Sequence, residues 1–385
     1  MLKTFKYRLY PSKAQAELIN KHCGCARFIY NFGLNAKIET YQKEKKSLTC
    51  IDIGNLLPDL KKQNIWLKEV NSQSLQMSLR NLDNAYQKFF REKKGFPKFK
   101  SKKDNKQSFQ IPQHSNIDFS NNLLFIPKFK KGIKIVLHRK FEGKIKTITI
   151  SKTCTNKYFA SILVDTTDII PNKTPISENK AIGIDLGIKH FATLSNGIKI
   201  ENPKHLKKSL TRLKTLQQRL SKKVKGSNNR NKARLKVAKQ YEKVTNQRND
   251  FLHKLSTSLL NQYDTLCLET LSVKDLIERK ELSQAISDCS WSNFNSMLEY
   301  KANWYGKNIL RLGRFEPSSK ICSCGIINNE LTLSDRKWTC KACGLTHDRD
   351  ILASCNILKY CFHKQNIIGL EQPEFMPSVM TFSHS

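Results

Sequence analysis

Negative charge is scarce in this 385-residue chain: 32 Asp and Glu stand against 68 Lys and Arg, a formal charge of +36. Self-repulsion on that scale makes sense beside a polyanion, with nucleic acid ahead of an anionic membrane. Long apolar runs are missing too. No stretch of about 18 apolar residues occurs, which excludes a membrane-spanning helix. The opening Met1-Leu-Lys-Thr-Phe-Lys-Tyr-Arg-Leu-Tyr10 alternates apolar and charged groups, so it reads as a strand and not as a secretory signal. Without an export signal, the 12 cysteines belong in a reducing cytosol, where a cysteine cluster holds metal more often than it forms disulfides. What is present is 39% apolar residues, enough for two or three domains with their own cores.

After the first strand, Pro11-Ser12 marks a stop and a helix N-cap. The spacing predicts a helix from Lys13 to about Lys45, with Leu18, Ile19, Cys25, Phe28, Ile29 and Phe32 as its apolar positions. Cys23 and Cys25 lie on that face and read as buried rather than ligating. A second helix, capped at Asn71-Ser72, buries Leu75, Leu79, Leu82, Tyr86 and Phe89. Its other side, with Ser72, Gln73, Gln76 and Arg80, suits base edges or simply water. The run Arg91–Lys103 interleaves Lys98 and Lys100 with Phe96 and Phe99, a pattern fit for a nucleic-acid strand or a solvated linker. From Ser108 to Val164 the texture changes to short alternating runs separated by turns, which predicts a small antiparallel barrel or sandwich that the first strand could join. Residues 168–178, with two prolines, read as a linker.

The next stretch, Lys180-Ala-Ile-Gly-Ile-Asp-Leu-Gly187 through Ile200, predicts three short strands with an Asn196-Gly197 turn and Asp185 at the end of the first. Gly183 and Gly187 are expected to leave its carboxylate accessible. Two long basic helices follow, joined near Gly226–Asn229, and no acidic residue occurs from Lys204 to Lys239. A helix pair normally mixes signs, so Lys222, Lys223, Arg230 and Arg234 imply an external counter-charge. A strand then ends on Glu269, a helix and a strand follow, and a last helix starts at Asp350. That order is the layout of an RNase H-like α/β nuclease domain, in which Asp185 and Glu269 end side by side and Asp350 can face them. Converging carboxylates need cations between them, and hard oxygen ligands select two Mg²⁺ or Mn²⁺. A second constellation, Cys322-x-Cys324-Gly and Cys340-x-x-Cys343-Gly, suits a structural zinc ribbon. Its first knuckle is one residue short: either the loop closes around zinc regardless, or a ligand comes from elsewhere.

Together, Tyr7-Arg-Leu-Tyr-Pro11, Gln76 with Leu79 and Leu82, Gly95-Phe-Pro-Lys-Phe99, Gly183–Gly187, Leu268-Glu269, Trp304-Tyr305, Phe315–Lys320, the cysteine knuckles and His347-Asp-Arg-Asp350 resemble the TnpB (OrfB) proteins of bacterial insertion sequences, relatives of the type V CRISPR effectors. The resemblance implies a wedge-type β-barrel (1–11 and 106–170) interrupted by a helical recognition domain with a helix-turn-helix-like start (12–105). It then implies a RuvC-like nuclease domain (179–316 and 348–362), a zinc ribbon (317–347) and a flexible tail (363–385). It implies an RNA-guided DNA endonuclease in the prokaryotic cytoplasm, associated with the nucleoid. Asp185, Glu269 and Asp350 would hold two Mg²⁺ and one zinc would be structural. The partners implied are an RNA from the element's own end, with one protein per RNA favoured, and target DNA beside a short motif that the protein reads. Where the family commonly has Asn-Ala-Ala, this chain has Leu352-Ala-Ser354, expected to remove a polar contact near the metals. The competing expectations are a repressor that has lost cleavage, or a strand-transfer transposase.

Overall fold

The computed structural model describes residues 1–363 except 105, 279–281, 314–315, 317 and 333–334, and gives no account of the side chain of residue 274. The tail expected from residue 364 onward therefore lies outside the described residues. The chain divides into two compact units, Met1–Ile169 and the remainder from Ile170.

The first unit opens with β1 (Leu2–Tyr10), followed by α1 (Lys13–Glu44), α2 (Cys50–Asn55), α3 (Leu57–Gln63) and α4 (Ser72–Glu92). Strands β2 (Lys106–Ile111), β3 (Asn116–Asp118), β4 (Leu123–Phe125), β5 (Ile133–Val136), β6 (Lys144–Thr153) and β7 (Tyr158–Asp165) complete it. One seven-stranded antiparallel sheet runs β2-β6-β7-β1-β5-β4-β3. The opening strand thus sits in the middle, between β7 and β5. Among the described residues β2 and β3 remain edges in hydrogen bonding. Even so, Phe109 and Ile111 of β2 enter the same core as Ile117 of β3, so the sheet curls round one interior as an incompletely closed barrel.

Helix α1 starts where expected: Ser12 and Gln15 form a reciprocal capping box. One side of α1 supplies Ile19, Cys23 and Ala26 to the sheet's core, and the other packs Cys25 and Ile29 against α2–α4. Both cysteines are buried without ligand geometry, as read from the sequence. At Gly33 a Cβ would stand 2.8 Å from a Leu79 methyl, so the missing side chain sets how closely α1 and α4 pack. The short helices α2 and α3 had no counterpart in the sequence reading. Their apolar positions (Ile53, Leu57, Leu60) are too few per segment to show a period.

His22 joins the layers of this unit. Its Nδ1–H donates to Leu18 O at 2.9 Å, and its Nε2 accepts the Asn71 N–H at 3.1 Å, at the N-cap of α4. Its ring lies 4.6 Å from that of Phe109 and 5.6 Å from that of Phe129.

The second unit contains β8 (Ala181–Leu186), β9 (His190–Leu194), β10 (Lys199–Glu201), α5 (His205–Ser221), α6 (Asn228–Gln262), β11 (Thr265–Glu269), α7 (Val273–Glu278), α8 (Ser283–Cys289), α9 (Trp291–Tyr305), β12 (Asn308–Leu312), β13 (Lys337–Thr339), β14 (Thr346–Asp348) and α10 (Arg349–His363). Its five-stranded sheet runs β10-β9-β8-β11-β12, with β8, β11 and β12 parallel. Alternation decides the two faces. Ile182, Ile184, Leu266 and Leu268 point into a core with Leu252 and Leu259 of α6 and Phe294 and Leu298 of α9. Ala181 and Cys267 point the other way, onto Ile357, Cys361 and Phe362 of α10. The layers are therefore helices, sheet, helix.

The basic hairpin is partly tied down by its own charges. Arg230 donates from Nη1 to Leu220 O at 3.1 Å and Lys223 O at 2.7 Å, satisfying carbonyls at the end of α5. Helix α5 lacks a side-chain cap of its own; Asp288 of α8 accepts from the Leu206 N–H at 3.0 Å and pairs with Arg248 at 2.9 Å.

Burial holds the His22 ring below its ordinary pKa, the largest cause being loss of water around the charged form. The unfolded chain then binds the proton first. His22 therefore contributes stability that is full above about pH 6.5 and is lost as the pH falls below that value. In His22→Gln, thermal unfolding at pH 7.5 is expected to show a loss of about 1–3 kcal/mol. The fall in melting temperature between pH 7.5 and 5.5 should be shallower than in the wild type. An unchanged slope would assign the acid sensitivity to other groups.

Candidate functional site

Asp185 and Glu269 lie on the α10 face of the sheet by the same alternation that directs Ala181 and Cys267 there. The register sets Leu268 opposite Ile184, so the next residue on each parallel strand, Glu269 and Asp185, stand abreast. Asp350 occupies the first turn of α10. What lets α10 come so near is Gly183. A Cβ there would fall 2.0 Å from the Ser354 carbonyl oxygen, so no larger residue is compatible with this packing. The glycine was expected to leave Asp185 accessible; instead it lets helix backbone lie against strand backbone, and Asp185 is only partly exposed.

Electrostatics report the same convergence. Loss of hydration, and then the charges of Glu269 and Asp350, push the Asp185 carboxyl up to about 8. Arg349 and Arg336 offset part of this. Arg336 also pairs directly with Asp350, Nη1 to Oδ1 at 3.3 Å. Asp185, Glu269 and Asp350 are hard oxygen donors of the kind that could hold divalent cations, whereas among the described residues only the four cysteines bring three or more donor atoms within 4.8 Å of one another.

The four sulfurs of Cys322, Cys324, Cys340 and Cys343 lie within 4.8 Å of one another. Cys322 to Cys343 is 3.5 Å and Cys324 to Cys340 is 3.7 Å. A tetrahedron with zinc–sulfur bonds of about 2.3 Å has edges of about 3.8 Å, so the donor set fits zinc. The short first knuckle closes in a turn one residue tighter than the regular one. Gly325 N–H donates to Cys322 O and Gly344 N–H to Cys340 O, with both glycines in the left-handed region at φ 87° and 74°. Backbone N–H groups of Cys343 and Ala342 lower the Cys340 thiol to about 6, preparing a thiolate, while burial raises Cys322 to about 12.

The sequence reading counted His347-Asp-Arg-Asp350 among the motifs but gave a role to Asp350 alone. His347 Nε2 lies 3.0 Å from Cys322 Sγ. Asp348 accepts from the N–H groups of Asp350 and Ile351, both at 3.2 Å, capping α10, and pairs with Lys199 at 2.6 Å. Arg349 donates to Thr332 O at 2.8 Å. Each residue of His347-Asp-Arg-Asp350 therefore holds a different part of the junction between cysteine cluster and acids. Leu352 also belongs to this junction: it is buried with Cys322, Trp338 and Cys340. It packs the cysteine cluster onto α10, a role different from the lost polar contact expected of it. Ser318, from the loop after β12, donates its hydroxyl to Glu269 Oε1.

The candidate nucleic-acid contacts divide. Gln76, Arg80, Lys98, Lys222, Lys223 and Arg234 are exposed. Ser72 accepts from Lys61 Nζ at 2.9 Å, and Gln73 bonds Gln113 at 3.1 Å. Lys100 sits over the Tyr30 ring at 3.8 Å and Arg230 caps α5, so these two are engaged within the fold. Phe96 turns back edge-on to Tyr86 and Phe89, while Phe99 stays exposed.

Residues 161–280 match the family described as probable transposase of the OrfB/IS605 type, and residues 291–357 the Cas12f1-like TNB domain. Residues 1–46 match a helix-turn-helix domain, although here that span holds β1 and the unbroken α1. A Streptomyces pristinaespiralis protein named RNA-guided DNA endonuclease is 38% identical, covering 92% of this chain and 88% of the relative. The Escherichia coli (strain K12) protein named RNA-guided DNA endonuclease InsQ is 30% identical, over 93% and 92%. Among solved structures, the protein of a Cas12f1–sgRNA–target DNA complex superposes with a TM-score of 0.57 at 16% identity, covering 93% of this chain and 98% of that one, a likeness of fold. On fold, motifs and these relatives, the chain belongs to the TnpB (OrfB, IS605-type) family, related to Cas12f.

Proposed function

We propose that this protein is an RNA-guided DNA endonuclease that hydrolyses phosphodiesters at Asp185, Glu269 and Asp350. What supports the reading is that Asp185 and Glu269 stand abreast on the sheet face that α10 covers, with Asp350 in the first turn of that helix; lost hydration and then the charges of Glu269 and Asp350 raise Asp185 to about 8. Two Mg²⁺ would fit this donor set; such ions activate water and stabilise the leaving oxygen. The chain's own part is to orient the carboxylates from two strands and a helix and to exclude water around Asp185. Arg336, paired with Asp350 at 3.3 Å, places a guanidinium beside that carboxylate.

In this reading residues 1–11 and 106–170 form the wedge and 12–105 the recognition helices. Residues 179–316 and 348–362 form the nuclease domain of RuvC type, and 317–347 the zinc ribbon. The exposed bases Arg80, Lys98, Lys222, Lys223 and Arg234 hold RNA or the guide–target duplex by its phosphates, and pairing chooses the sequence. Guide RNA from the element's own end and a short target-adjacent motif complete the reaction. A repressor that has lost cleavage is disfavoured, because the sequence retains Asp185, Glu269 and Asp350.

The test is to purify the protein expressed with its own locus, sequence the bound RNA and incubate the complex with a matching plasmid. Asp185→Ala, Glu269→Ala and Asp350→Ala should each reduce Mg²⁺-dependent breaks to background while RNA binding stays near wild type. Full cutting by any one of them would remove that acid from the mechanism. Target-joined products in place of breaks would indicate strand transfer. Elemental analysis should find about one zinc per chain. Stripping it with a strong chelator should lower the melting temperature, because a ribbon of this size folds with its metal. A zinc content well below one would overturn the ribbon.

A further inference from the structure

Glu269 has one more rotatable bond than Asp185 or Asp350, so strand position alone does not fix its carboxylate. The structure supplies the missing restraint from outside the three acid-bearing elements. The Ser318 hydroxyl donates to Glu269 Oε1. Ser318 is 5% exposed, which shields that bond from water. Its own backbone is held at both ends: its N–H donates to Glu316 O at 2.9 Å, and its carbonyl accepts from Asn356 Nδ2 at 2.8 Å. Asn356 is 4% exposed, lies on α10 six residues beyond Asp350, and also donates to Ile321 O at 2.8 Å, just ahead of Cys322.

We propose that Ser318 is a positioning residue for Glu269, holding Oε1 so that Oε2 is presented to a divalent cation, and that Asn356 fixes Ser318 relative to α10. Glu269 is thereby tied to the helix that carries Asp350, and the two acids keep a constant relation although they come from distant segments. The inference rests on the reading of Glu269 as a metal-holding acid. A hydroxyl that merely stapled the loop would stabilise the fold but would have no particular relation to metal affinity.

The experiment measures Mn²⁺ binding to the zinc-loaded, RNA-free protein by electron paramagnetic resonance, alongside melting temperature and plasmid cleavage by the RNA complex. Ser318→Ala should weaken Mn²⁺ binding by about 10- to 100-fold, the usual effect of removing a hydrogen bond to a metal-holding group. Ser318→Thr, which keeps the hydroxyl, should restore most of it. In a Glu269→Ala background the same Ser318→Ala change should have no further effect on Mn²⁺, since its only route to the metal is gone. If the alanine variant does not fold, Ser318→Cys, close in volume and a weak donor, decides the question. Wild-type Mn²⁺ affinity in the serine variant, or an equal loss with and without Glu269, would overturn the proposal. The two levels separate cleanly. Normal Mn²⁺ binding and cleavage in Glu269→Ala would sink the functional reading itself, whereas a dead Glu269→Ala beside a normal Ser318→Ala would sink only the positioning role.

Discussion

The contact on which the second unit depends is the one between the backbones of β8 and α10 at Gly183. A helix normally stands off from a sheet by the thickness of two side-chain layers. Here one layer is absent at one point, and the Ser354 carbonyl occupies the space a Cβ would need. The gain is proximity. The helix N-terminus, with Asp350 in its first turn, comes down to the strand end that bears Asp185. The cost is a cluster of like charges in a poorly hydrated place, visible in the raised Asp185. Closeness and repulsion are one fact seen twice.

Charge outside the site follows a different logic. No acidic residue balances the bases from Lys204 to Lys239. Yet the hairpin has ties of its own within the fold. Arg230 serves the carbonyls of α5, Asp288 serves its N–H groups, and Leu213 and Val237 are buried. Lys222, Lys223 and Arg234 of this hairpin are exposed. A sequence count alone overstates the exposed charge, because it cannot separate a cap from a contact.

Much of this was legible from residues. The strand order, the places of Asp185, Glu269 and Asp350 and the start of α1 at Ser12 follow from period, turn chemistry and capping, all local signals. The barrel's outer strands and the helices between residues 50 and 63 were not, because segments of three to seven residues carry too few apolar positions to show a period. Gly183 was noticed for the wrong reason: its constraint is a tertiary contact with a carbonyl 171 residues away in sequence, from Gly183 to Ser354, and no local pattern records that. Leu352 was read against a polar alternative near the acids, whereas its surroundings are Cys322, Trp338 and Cys340. Ser318 and Asn356 belonged to stretches already singled out as motifs or as the last helix. Their roles appear only when strand, loop and helix are assembled.

The cysteine cluster and the acids are best understood as one junction. β14 runs directly into α10, so the residues that end the cysteine-bearing segment also begin the helix. His347 reaches a sulfur, Asp348 caps the helix, Arg349 holds the carbonyls of Thr332 and Asp335, and Leu352, one turn along, packs against the cysteines. From the other side, Asn356 binds the loop that leads into the first knuckle. A helix fastened this way at its first two turns has little freedom to swing its leading carboxylate. The four thiols therefore contribute to the acid site without touching it, since they determine where the first turn of α10 can lie. That is why the 36 residues between β12 and α10 do not loosen the position of Asp350.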